Sequence, residues 1–79
     1  MNRKENFPFV PGREAKVLFM DADFQVIQPG DFVRCAVTGQ PIRLEALRYW
    51  SVEHQEPYAS AEIAMRRHIQ LMKELKNQS

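Results

Sequence analysis

One cysteine, Cys35, is all the chain has. No disulfide can close within it. Neither four thiolates nor two thiolates with two imidazoles can be assembled, so a closed structural zinc site is excluded. A lone thiol suits a reducing compartment. There are three glycines, and none stands in a glycine-rich phosphate loop. No run approaches the roughly 18 apolar residues of a membrane span. The apolar stretch Phe7-Pro8-Phe9-Val10-Pro11 is too short for a signal-peptide core. Charge of one sign is lacking too: eleven Lys/Arg against ten Asp/Glu leave +1, whereas strong non-specific nucleic-acid binders are far more basic. The expectation is a soluble cytoplasmic protein with no metal, no cofactor and no membrane association.

What is present is one small domain. A chain of 79 residues hides only about 60–65% of its unfolded surface, so its stability margin is thin. Residues 1–14 read as an extended arm, because Pro8 and Pro11 fix φ and hold their predecessors extended. Residues 15–76 form the domain and 77–79 a frayed tail. Ala15–Met20 and Phe24–Gln28 are β-patterned, and Asp21-Ala22-Asp23 is the right length for a hairpin loop. Pro29-Gly30 signals a type II turn, with Gly30 at positive φ. Phe32–Val37 reads as a third strand with Val33, Cys35 and Val37 on one face. Ile42–Leu44 and Leu47–Val52 supply two more short strands, or Leu44–Leu47 a single helical turn.

The final segment, 57–75, reads as a helix with Pro57 at its first position. Tyr58, Ala61, Ala64, Met65, Ile69, Leu71, Met72 and Leu75 mark an apolar face about 160° wide at helical spacing, with Ile63 an outlier on the polar side. Arg66 and Arg67 fall on that polar side, and Glu62 stands one turn before Arg66. The fold class is therefore α+β: a small, mainly antiparallel sheet of three to five short strands under one C-terminal amphipathic helix.

Cys35-Ala36-Val37-Thr38-Gly39 has the outline of a zinc knuckle with Thr38 in place of the second thiolate. The turn survives that loss, since Gly39 keeps the backbone freedom, but metal binding does not. Cys35 thus reads as a core residue rather than a reactive thiol or ligand. His68 reads as a packed histidine on the helix's apolar side and His54 as a loop residue. Asp21 and Asp23 read as turn formers rather than an acid/base pair. The one candidate interaction face joins Arg34, Arg43, Arg48, Tyr49 and Trp50, cations beside aromatic rings. Such a set anchors a protein partner or stacks bases and neutralises phosphate.

Five segments together resemble a known family: Gly12-Arg13-Glu14-Ala15-Lys16, Asp23-Phe24-Gln25-Val26, Pro29-Gly30-Asp31-Phe32-Val33, Cys35–Gly39 with Pro41-Ile42, and Leu47-Arg48-Tyr49-Trp50-Ser51-Val52. Over residues 12–68 they look like an uncharacterised alphaproteobacterial family, domain of unknown function 2093. The resemblance implies a compact bacterial cytoplasmic domain and assigns no activity, cofactor or catalytic residue. The leading functional expectation is a non-enzymatic protein-interaction or accessory domain, a monomer or weak homodimer. Nucleic-acid binding is the alternative, and enzymatic activity comes last.

Overall fold

The computed structural model describes residues 12–77. Most of the expected arm, residues 1–11, and the last two residues lie outside the described range. The architecture is α+β. Among the described residues six short strands pair as three antiparallel ribbons, and one helix follows them. Strand β1 (Lys16–Phe19) pairs with β2 (Phe24–Gln28), β3 (Phe32–Arg34) with β4 (Pro41–Arg43), and β5 (Tyr49–Ser51) with β6 (Glu56–Tyr58). A single 3-10 turn, Leu44–Ala46, links the second ribbon to the third, and helix α1 spans Ala61–Asn77.

A few hydrogen bonds, rather than a continuous sheet, join the ribbons. The Ala15 N–H donates to the Phe32 carbonyl (2.7 Å) and the Asp31 N–H to the Arg13 carbonyl (2.7 Å), laying the start of the described chain beside β3. The Ala36 N–H donates to the Pro57 carbonyl (2.9 Å), tying the turn after β3 to β6. Gln55 makes the third link. Its side-chain amide accepts from the Phe19 N–H (2.9 Å) and donates to the Phe19 carbonyl (2.8 Å), as a neighbouring strand residue would. The Trp50 indole N–H reaches the Met20 carbonyl (2.8 Å) beside it.

The core is small. Ala15, Phe19, Val33, Cys35, Ile42 and Leu47 form it, with Val17, Phe24, Leu44, Trp50, Ala59 and Ile63 packed around them. Period-two alternation puts Val33 and its partner Ile42 inward, while Phe32, Arg34 and Arg43 share the opposite face of the second ribbon.

Several expectations need correction. The third strand stops at Arg34, because Cys35 already opens a tight turn, and Val37 is exposed rather than inward. Gly30 is not at positive φ; it is required because a Cβ there would stand 2.4 Å from the Ala15 backbone nitrogen. Pro57 lies in β6, not in the helix. The helix begins after Ser60, whose hydroxyl accepts from the Ile63 N–H (3.2 Å) as an N-cap.

The helix is also rotated from its expected seating. Ile63, Ala64, Arg67 and Leu71 are half-buried, whereas Met65, Ile69, Met72 and Leu75 are exposed. Two features set the rotation. Ile63, three residues past the cap, tucks against the core. Arg67 is clamped to Glu56 of β6 by paired hydrogen bonds of 3.1 Å each. A two-stranded ribbon is about 5 Å from strand to strand, too narrow to cover an apolar arc of this width.

Candidate interaction groove

The β5–β6 turn and the C-terminal half of α1 enclose a groove of about 450 Å³. Among the described residues, Trp50, Tyr58 and Leu71 form its better-buried part, and Ala64, Met72 and Leu75 extend it along the helix. Ser51, Glu53 and His54 line it from the ribbon side, and His68 and Glu74 from the helix side. The two histidines therefore share one groove. His68 is exposed there rather than packed, because the helix turns Ile63 and Arg67 inward instead. The Ser51 hydroxyl accepts from the His54 backbone N–H (3.0 Å), the bond of a turn.

The groove is braced from behind by Glu56, Tyr58 and Arg67. The guanidinium of Arg67 and the phenol of Tyr58 (3.0 Å) both donate to the Glu56 carboxylate. The Arg67 hydrogen bonds hold the Glu56 carboxyl below its ordinary range, and Tyr58 and His54 add to the effect. Burial, reinforced by Glu56, pushes the Tyr58 phenol up.

Of the expected interaction face, the structure brings together only part. Arg34 and Arg43 share a face of the second ribbon. Arg34 donates to the Gly39 carbonyl (3.1 Å), lies 5.4 Å over the Phe32 ring and stands 3.8 Å from Glu14. Arg43 stands 3.8 Å from Glu45. Arg48 is exposed before β5, and Tyr49 is exposed on β5. Trp50 alternates to the other side, half-buried, with Phe19 at 5.8 Å and Phe24 edge-on at 5.7 Å. Sequence reasoning missed the groove because Pro57 and Tyr58 read as the start of the helix, not as part of a strand paired with β5.

The knuckle turn is intact. The Cys35 N–H donates to the Gln40 carbonyl and the Gly39 N–H to the Cys35 carbonyl, both at 2.9 Å, with Gly39 at φ 77°. Cys35 is buried. Burial pushes its thiol up, but hydrogen bonds from the Thr38 hydroxyl and from the backbone of Thr38, Val37 and Ala59 outweigh it and leave the thiol below its ordinary value. Thr38 thus stands where a zinc knuckle has its second sulfur, its hydroxyl accepting from the Gln40 N–H (3.2 Å). Among the described residues no cluster of three His, Cys, Asp or Glu side chains is placed to hold a metal.

A family model described as uncharacterised protein conserved in bacteria, DUF2093, matches residues 26–67, more than half of the chain. The chain belongs to the DUF2093 family. No curated protein and no solved structure matches it. The DUF2093 segment takes in the knuckle turn, Trp50, Gln55 and both partners of the Glu56–Arg67 pair, and ends before the Leu71–Leu75 wall of the groove. No helix among the described residues is long and apolar enough to cross a membrane.

Proposed function

We propose that this DUF2093 protein is a non-enzymatic interaction domain that presents the outer side of α1 and the adjoining groove to a protein partner. One observation carries the reading. Met65, Ile69, Met72 and Leu75, at 58%, 48%, 53% and 66% exposure, form an apolar strip on a helix whose other side is already seated. Apolar strips of this kind mark contact sites more often than scattered exposed residues do. Methionine suits such a surface because its flexible thioether adapts to its partner. Nucleic-acid binding has less support, because Trp50 is engaged with Phe19, Phe24 and the Met20 carbonyl, and Arg34 with its own turn.

Photo-crosslinking from position 65 or 72 in the native cell tests this. The expected result is a discrete protein adduct that resists nuclease and disappears when Leu75→Asp is added. An adduct that nuclease removes, or no adduct above that from position 16 on β1, overturns the proposal.

A further inference from the structure

We propose that the groove receives a short basic amphipathic segment of the partner, its apolar side chains on the Trp50–Tyr58–Leu71 floor and its Lys or Arg at the rim. This rests on the interaction reading above and names the partner's chemistry. The charge of the lining carries it. Glu53 stands on the ribbon wall and Glu74 on the helix wall, and no Lys or Arg lines the groove among the described residues. The chain as a whole has more Lys/Arg than Asp/Glu, so the local sign is not a matter of composition. The two arginines of the same helix are paired away from the groove: Arg67 with Glu56 at 3.1 Å and Arg66 with Glu62 at 3.0 Å.

A volume of about 450 Å³ falls in the range of sites that enclose a specific ligand, about 300–1,000 Å³. Two carboxylates at the rim of an apolar floor, one from the ribbon and one from the helix, complement a segment that alternates apolar and basic positions. They repel an acidic one. The groove runs on into the Met65–Ile69–Met72 strip, so a helix laid along α1 would use both, the helix-in-groove mode of recognition.

Two synthetic Trp-free peptides with the same Leu and Phe spacing, one with Lys at its polar positions and one with Glu, are titrated into the full chain. Trp50 is the only tryptophan and lines the groove, so its emission reports occupancy there. The expected result is saturable binding of the Lys peptide, at least about tenfold tighter than the Glu peptide. Glu53→Gln with Glu74→Gln should remove most of that preference while circular dichroism and the melting midpoint stay unchanged. Leu75→Ser should weaken both peptides.

Equal affinity for the two peptides, or a preference that survives the double Gln variant, overturns the basic-segment assignment and leaves the interaction reading standing. Absence of any peptide binding together with absence of a crosslinked partner overturns both. The chain's own first eleven residues carry Arg3, Lys4, Phe7 and Phe9. If Phe7→Ser with Phe9→Ser raises Lys-peptide affinity about tenfold, that segment is the occupant and the partner assignment fails.

Discussion

Gln55 sits at φ 53°, in the left-handed region, and its amide spans 36 positions to engage both backbone groups of Phe19. It also donates to the Val52 carbonyl (2.8 Å). An amide is the only side chain that both accepts and donates in this arrangement. Gln55→Glu keeps the shape and the acceptor but turns a carboxylate toward two carbonyl oxygens. It should lower stability at neutral pH by about 1–3 kcal/mol. The introduced carboxyl has its folded pKa raised by those carbonyls, so the gap from the parent should narrow as pH falls through its folded value. Urea melts at pH 7 and in acid check both parts, and a gap independent of pH would refute the pairing. Gly30→Ala should be harsher, costing about 2–3 kcal/mol or more, because the clash is with backbone at Ala15 rather than with a side chain that can move. None of this was legible beforehand. The alternation of Val33 and Cys35 announced their burial, whereas a polar residue pairing with a distant strand leaves no period in the sequence.

At the scale of the element, α1 shows why an amphipathic pattern fixes helix existence better than helix seating. The apolar spacing announced the helix; the observed span, Ala61–Asn77, starts later than the expected 57, because Ser60 rather than Pro57 governs, and runs two residues past the expected end at 75. Ser60→Ala should cost about 1 kcal/mol, measurable as a shift in the urea midpoint without a change in slope. The seating was misread because the ion pair between Arg67 and Glu56 is a tertiary contact. A half-exposed arginine looks like a solvated one until its partner strand is known. Here the pair is partly shielded, at 25% and 22% side-chain exposure. Glu56 has its folded pKa depressed by Arg67. Its contribution is therefore fully present above the unfolded carboxylate value of about 4.3 and is lost as pH falls through the lower folded value. Glu56→Gln should be less stable than the parent at pH 7, and the two should converge in acid. A constant difference across that window would mean that the carboxylate charge contributes nothing.

At the scale of the whole molecule, the strands were legible and their assembly was not. β1 and β2 lie where the hairpin signals put them, and the antiparallel pairing follows the short loops. Six described strands form three ribbons instead of one sheet, and the few bonds that join them, from Ala15, Asp31, Ala36 and Gln55, have no sequence signature. The result is a shallow core: no described side chain is less than 2% exposed. Such a body has little apolar burial in reserve, so what covers the outer strip of α1 matters. If the strip belongs to the domain's own stability, Leu75→Asp should lower the melting midpoint. At 66% exposure the expected change is within about 0.5 kcal/mol, as at other surface positions. Sedimentation at two concentrations separates the remaining possibilities. A parent that stays monomeric at the higher concentration leaves the strip open for a different protein. A parent that dimerises, with Leu75→Asp restoring the monomer and an unchanged melt at low concentration, makes a second copy of this chain the cover.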